Sequence, residues 1–461
     1  MTAYRPDPRI LTLGPEFYDA VAPAKFPSAL PRFLNRRSAE RVGLGSLDEP
    51  RWQAHFCRFE ALEANLREPL ALRYHGHQFR VYNPEIGDGR GFLFAQLRDD
   101  RDRLLDLGTK GSGQTPYSRH ADGRLTLKGG VREVLATEML DALGVNTSKT
   151  FALFETGEAL ERGDEPSPTR SSVLTRLSHG HIRIGTFQRL AFFGEPENIN
   201  KLVGYCLANL YSEPPTTDDK ANAVRLFDLA SQATATLAAS YLAAGFVHGV
   251  LNSDNINITG ESFDYGPWRF APEWDPEFTA AYFDHYGLYA FGRQPEAIQW
   301  DLAQLAGSLS LVAEAPALSD MLAAWPGRFE EALIAAMLRR LGVAKASPDE
   351  DHSLVATLIK ALATREASID RFFFDWRGGR DPGADRYPSE AFRELAAMLQ
   401  GREHPRSHPY WSGPAPCSMH IDEVETIWSA IAKRDDWQPF NEKITAVRSM
   451  GEAMEQDAPA G

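Results

Sequence analysis

Apolar side chains in this chain recur at two different spacings, and the change from one to the other falls near residue 198. Before it, short apolar runs alternate with polar turns, the pattern of strands. Residues 92–97 (Phe-Leu-Phe-Ala-Gln-Leu) and 104–110 (Leu-Leu-Asp-Leu-Gly-Thr-Lys) are joined by a charged turn and predict a hairpin, with further strands expected at 150–155 and 171–177. One helix is expected among them: Val131, Val134, Leu135, Met139, Ala142 and Leu143 share a helical face, Glu133 lies off it, and Gly144 is its stop. Beyond residue 198 the spacing is helical. It predicts helices at 224–244, 298–311, 328–341 and 353–370, then a Pro-, His- and Ser-rich loop at 402–418 and a last helix at 421–433. The expected class is therefore α+β. Residues 1–70 are read as an irregular extension packed on the body, 71–197 as a sheet-rich lobe and 198–461 as a helical lobe.

Composition narrows the partners. The chain has 461 residues and 43% hydrophobic content, enough for two or three packing units. A net charge of −14 argues against a nucleic-acid surface, which needs clustered Lys and Arg. Cys57, Cys206 and Cys417 are odd in number and stand in no metal-ligand spacing, which points to the reducing cytoplasm rather than to a disulfide framework. The start, Met1 to Asp7, has no secretory signal pattern. The most apolar window, 229–251, carries Ser231, Gln232, Thr234 and Thr236 and reads as a buried helix, so no membrane partner is expected; the protein is taken as a monomer.

Chemistry concentrates where the two halves meet. His248-Gly249-Val250-Leu251-Asn252-Ser253-Asp254-Asn255, followed nine residues later by Asp264-Tyr265-Gly266, nearly spells the protein-kinase signature H-R-D-L-x-x-x-N with its downstream D-F-G. Asn255 and Asp264 occupy the two metal-ligand positions and offer hard oxygens suited to Mg²⁺. The position of the kinase base holds Val250, which cannot accept a proton; the nearest replacement is Asp254. Upstream stand the turn Gly87-Asp88-Gly89-Arg90, then Lys110 at a strand end, then Glu133 on the following helix, in the order a kinase uses. Taken singly each has a plain reading, as a tight turn, a surface Lys and a solvated Glu. Together they point to a nucleotide site in a bilobal, protein-kinase-like fold with a sheet-rich N-lobe and a helical C-lobe. Arg176 and Arg183 have apolar neighbours and need anionic partners, either phosphate or a structural carboxylate. His75-Gly76-His77 and His179-Gly180-His181 lack a third ligand at zinc spacing and are read as structural. Neither a G-x-S-x-G elbow nor a complete P-loop is present.

These blocks resemble the selenoprotein O family, also called the YdiU family, of pseudokinase-fold protein nucleotidyltransferases. The likeness runs in order through residues 74–79, Gly87 to Arg90, Lys110 to Arg119, Asp122-Gly123-Arg124, Arg132-Glu133, Ile182 to Gly185, Asn252 to Asn255, Asp264 to Pro267 and Gln294-Pro295. It implies transfer of AMP from ATP to Ser, Thr or Tyr hydroxyls of proteins, with pyrophosphate released and the nucleotide flipped relative to a kinase. By this resemblance Asp254 is the proton acceptor, Asn255 and Asp264 hold Mg²⁺ or Mn²⁺, and Glu133 positions Lys110. Gly87, Gly89, Arg90, Lys110, Asp122, Gly123, Arg176, Arg183 and Asp264 would contact the nucleotide. Attack at the α-phosphorus needs positive charge on the departing pyrophosphate, which Lys110, Arg176, Arg183 and the metal could supply. Some members use UTP with Mn²⁺, so UMP transfer is the alternative; a γ-phosphate kinase and a catalytically silent nucleotide-binding scaffold are the rivals, and self-modification is a further expectation. The chain departs from the family pattern at His75 (usually Ala), Arg80 (usually Gly), Gly129-Gly130 (usually paired serines) and His179-Gly180-His181. The likeness is expected to fade after about residue 305, and Asp457 to Gly461 carry no selenocysteine or cysteine, so it lends no support to a redox role.

Overall fold

The two runs predicted as a hairpin form the middle of an antiparallel sheet. In the computed structural model, which describes residues 2–163 and 165–459, Leu93–Arg98 pairs with Leu104–Lys110, placing Leu97 opposite Leu105. Leu104–Lys110 pairs on its other side with Thr169–Ser178, which in turn pairs with Lys149–Leu160. Among the described residues the sheet has eight strands. Its path ends at Tyr18–Ala20, against Leu70–Leu72, and at Leu30–Leu34, against Lys149–Leu160. The first 70 residues, read from the sequence as irregular, thus supply both terminal strands. Runs of three and five residues, the second carrying Pro31, are too short for alternation to register.

Each face of the sheet is covered. Helices Arg36–Arg41 and Glu49–Phe56, capped by the side chains of Asn35 and Asp48, close one face. There Trp52 and Phe56 pack on Phe151, each with ring centroids 5.0 Å away. The other face takes helix Leu127–Ala142, whose start is set by Thr126 Oγ1 accepting the Gly129 N–H at 3.1 Å. This helix begins four residues before the predicted stretch and is buried well beyond its apolar stripe, Glu133 included. Helices Ile421–Arg434 and Gln438–Gln456 cover its outer side, joined to it through Arg448–Glu138 at 2.7 Å and Lys128–Glu425 at 2.8 Å. The last of these helices was not anticipated, although Phe440, Ile444 and Val447 stand at helical spacing and are buried.

The remaining helices build the second half. Asp219–Ala244 starts five residues before its predicted position and ends at Gly245, whose φ of 69° suits glycine. The stretch predicted at 328–341 is the end of a longer helix, Ala315–Leu341; the one predicted at 353–370 is two, Pro348–Leu362 and Ile369–Asp375. Ile184–Phe192, Pro196–Leu210 and Glu390–Leu399 are further helices. The class is mixed α+β. Directly after Asp219–Ala244, the short strand Phe246–Val247 pairs with Arg269–Phe270, so the chain from His248 to Trp268 is a loop pinned at both ends.

Phe440 joins the last helix to the sheet: it is fully buried, with its ring edge-on to Phe33 of the terminal strand at 6.4 Å. Phe440→Ala should lower unfolding free energy by about 3–5 kcal/mol. Chemical denaturation checks this, and a loss under about 1 kcal/mol would show that the helix is not integral to the sheet's packing.

Candidate active site

Sheet register decides which side chains share the cleft. Leu104–Lys110 and Thr169–Ser178 place Gly108 opposite Arg176 and Lys110 opposite Leu174, so Lys110 and Arg176 lie on one face, two positions apart. Helix Leu127–Ala142 brings Glu133 under that face. Lys110 Nζ meets Glu133 Oε2 at 2.6 Å, and Arg176 approaches the other Glu133 oxygen at 3.7 Å. The order of Lys and helical Glu read from the sequence thus corresponds to a buried ion pair. Burial pulls the Lys110 pKa below its ordinary value, against the opposing pull of Glu133.

The pinned loop supplies the other wall. Asp264, at φ 55°, accepts from Arg176 at 2.7 Å and from Arg183 at 2.6 Å, with Lys110 Nζ 3.8 Å away. Burial alone would raise its pKa, but the two guanidinium groups and Lys110 hold it well below the usual carboxylate range. The anionic partner that Arg176 and Arg183 require is therefore a carboxylate of the chain itself. Arg183 also donates to the Asp254 carbonyl at 2.9 Å and pairs with Asp88 at 3.3 Å. His248 is a joint within the loop: its N–H donates to Gln294 at 3.0 Å and its ring lies 3.2 Å from the Phe263 carbonyl.

Asp254 is 7% exposed, and its Oδ1 has no hydrogen-bond partner. Burial pushes its pKa up to about 6, against the opposing charge of Arg183. Val250, in the position of the kinase base, faces the same cleft, and its carbonyl accepts from the Asn255 amide nitrogen at 2.9 Å. That bond turns the Asn255 side-chain oxygen away from Val250. Asn255 and Asp264 both line the cleft and carry oxygen donors of the kind hard divalent cations prefer. Among the described residues no group of three or more His, Cys, Asp or Glu could form a metal cage. The residues present fit a two-ligand site with retained waters, the kind that Mg²⁺ or Mn²⁺ takes.

Gly87, Gly89, Arg90, Lys110, Arg176, Arg183, Asp254, Asn255 and Asp264 line one cavity of about 410 Å³, within the usual range for small-molecule sites. Glu133 stands behind it. Asp122 and Gly123 are outside the lining: the Asp122 carboxylate pairs with Arg162 at 2.9 Å, and it is neighbouring Ala121 that reaches the cleft. Sequence reasoning passed over Tyr74, Gln78, Asp88, Tyr117, Arg119 and Asn252, which also line it. All six lie inside blocks singled out in the sequence, but nothing in their type or spacing marks them for the cavity. The histidine pairs have protein partners, His75 with Tyr82, His77 with Gln188 and His181 with Asp106.

A buried Lys–Glu pair, a carboxylate under three cations and an aspartate with one unpartnered oxygen around one cavity make a site of the class that handles a nucleotide. Residues 2–407 match the family described as protein adenylyltransferase SelO. The chain is 41% identical to a protein nucleotidyltransferase YdiU of Synechocystis sp., over 96% of this chain and 98% of that protein. It is 43% identical to the one of Gloeobacter violaceus (96% and 94%) and 33% identical to the one of Rhizobium meliloti (98% and 88%). The chain belongs to the SelO/YdiU family. The likeness extends well past residue 305, where it was expected to fade.

Glu133→Gln keeps the shape of the side chain but leaves Lys110 with only Asp264, 3.8 Å away. It should lower stability by about 3 kcal/mol, the lower end for breaking a buried pair. The thermal midpoint reads this out, and an unchanged midpoint would show that Lys110 is not held by Glu133.

Proposed function

We propose that the protein transfers AMP from ATP to a Ser, Thr or Tyr hydroxyl of a protein substrate and releases pyrophosphate, within a bilobal, kinase-like fold in the cytoplasm. The fold reading is supported by the sheet with the Glu133 helix on one side of the cleft and the helical half on the other. The compartment is supported by three cysteines that are all buried and free. Among the described residues no helix is long and apolar enough to cross a membrane.

The observation that carries the chemical reading is Asp254: a buried carboxylate with an unpartnered oxygen, facing the cleft in which Val250 stands at the kinase base position. Asp254 takes the proton of the acceptor hydroxyl as that oxygen attacks the α-phosphorus. The bond to the pyrophosphate oxygen breaks, and the charge that develops there is met by Lys110, Arg176 and Arg183. Both guanidinium groups are engaged by Asp264, so phosphate oxygens would share them with that carboxylate. Asn255 and Asp264 would hold Mg²⁺ or Mn²⁺, which, when bound, neutralises phosphate charge and orients the nucleotide. Arg90 and the turn Gly87-Asp88-Gly89 border the nucleotide side.

Asp254→Ala should lower transfer by about 10² to 10⁴, the usual worth of a general base, while ATP still binds. The assay uses ATP labelled at the α or the γ position, followed by intact mass measurement of the acceptor. Label from the α position and an AMP adduct are expected. Label from the γ position would make the protein a kinase, a UMP adduct from UTP in preference would change the donor, and a normal rate in the variant would remove Asp254 from the reaction.

A further inference from the structure

Nine large apolar or aromatic side chains of the described residues are exposed, and six of them gather around one hairpin: Val81, Phe192, Phe193, Tyr282, Phe283 and Tyr286. Tyr282 and Tyr286 are 84% and 93% exposed and Val81 is 69%, so these are not core side chains with one visible edge. The hairpin is Gly76–Gln78 paired with Val81–Asn83. Its inner side belongs to the cleft. Gln78 lines the cavity, and a Cβ at Gly76 would lie 2.8 Å from both Cβ and Oδ1 of Asp254.

Its outer side carries the aromatic rim. Tyr82 stacks on Phe192 at 5.5 Å, and Phe193 meets His75, just before the hairpin, at 5.5 Å. Phe79 meets Phe283 edge-on at 5.8 Å, and Phe283 touches Tyr282. The Tyr286 carbonyl accepts from Arg293, and both Arg293 and Arg80 pair with Glu296. The hairpin is fastened to the Asp254 loop. The His77 N–H donates to Ser253 Oγ at 2.8 Å, the Phe79 N–H donates to Asn252 Oδ1 at 3.0 Å, and the Tyr289 hydroxyl donates to that same oxygen at 2.7 Å.

We propose that this rim docks the acceptor protein: the segment flanking the modified hydroxyl lies across the hairpin as an extended, apolar stretch, its side chains taken up by the rim aromatics. The inference rests on the nucleotidyl-transfer reading. On that reading Gly89, Arg90 and Lys110 take the nucleotide, while Gln78 of the hairpin lines the same cavity and Gly76 abuts Asp254, so a hydroxyl that reaches Asp254 passes the hairpin that carries the rim. An exposed apolar surface edged by polar groups marks an interaction site. Tyrosine suits such a surface because it offers a large contact area for little lost side-chain freedom. A partner carrying apolar residues beside its hydroxyl fits this chemistry, whereas an acidic or basic flanking segment finds the mixed charges of Arg80, Arg293 and Glu296 already paired.

The test uses the full chain, ATP labelled at the α position, Mg²⁺, and a degenerate peptide library with one central Ser. Wild type should favour peptides with aromatic or branched aliphatic residues beside the Ser. The double variant Tyr282→Ser/Tyr286→Ser, and separately Val81→Asp, should raise the KM for such a peptide about tenfold while kcat and ATP affinity stay within about twofold, the size expected for losing one or two aromatic contacts. A flat flanking preference in wild type, or an unchanged KM in both variants, overturns the docking surface while leaving transfer intact. A wild-type dimer in light scattering that both variants convert to monomer assigns the rim to a second copy and overturns it as well. Labelling of no peptide by wild type that still binds ATP overturns protein-hydroxyl transfer itself, and the docking surface with it.

Discussion

Arg183 is the joint at which the segments of the cleft meet. It is 2% exposed and its guanidinium reaches the Asp254 carbonyl at 2.9 Å, the Asp264 carboxylate at 2.6 Å and the Asp88 carboxylate at 3.3 Å, between the rings of Tyr74 and Phe263. A planar fork can hold three acceptors in fixed directions, which an ammonium on a flexible stem cannot. Around it the charges balance: Lys110, Arg176 and Arg183 against Glu133, Asp264 and Asp88, three cations and three carboxylates. Such a cluster can stay buried because each charge has a partner. It also has no cation to spare. On the proposed reading, a nucleotide's phosphates meet Arg90 and Arg119, which line the cavity outside the cluster, and a divalent ion adds positive charge that the cluster itself does not have free.

The rest of the molecule serves this arrangement from a distance. Register between Leu104–Lys110 and Thr169–Ser178 puts Lys110 and Arg176 on one face, and helix Leu127–Ala142 sets Glu133 beneath them. That helix is gripped on its far side by Arg448 and Glu425, some 300 residues away along the chain. The last two helices, which sequence patterning left without a role, are thus part of what fixes the Lys110–Glu133 pair. A segment can position a site it never touches when it covers the element that carries the site.

Much of this was legible in the sequence. The hairpin and the Glu133 helix have long, strongly periodic runs, and the order of Lys, helical Glu, Asn and Asp carries its own geometry because each residue sits at an element's end or face. The terminal strands were not legible, because three to five residues show no period. Nor was the partner of Arg176 and Arg183. Local apolar neighbours reveal that a guanidinium is buried, but the carboxylate that neutralises it, Asp264, lies more than 80 residues on and is brought there only by the fold. Asp122 and Gly123, named through family likeness, lie next to Ala121 of the cavity lining but outside it, with Asp122 paired to Arg162.

Glycine positions near the cleft show that packing alone can fix a motif that also suits a ligand. The turn Gly87-Asp88-Gly89-Arg90 was read, with the residues that follow it, as part of a nucleotide site. In the structure a Cβ at Gly87 would come within 2.5 Å of the Tyr117 ring, and one at Gly91 would overlap the Thr109 carbonyl oxygen, so packing alone already demands glycine there. The pointer to phosphate is the cations around the turn, Arg90 and Lys110. Arg80 is the converse, a side chain where the family pattern has glycine. Its φ is 62°, a left-handed conformation that costs a non-glycine residue about 1–2 kcal/mol. Against this, its guanidinium pairs with Glu296 at 3.0 Å and lies 5.4 Å from the Trp300 ring, contacts worth about 0–1 and 0.5–1 kcal/mol at partly exposed sites. The two sides nearly cancel. Arginine at this turn is therefore close to neutral for stability, and on the proposed docking its effect is on the surface an acceptor crosses.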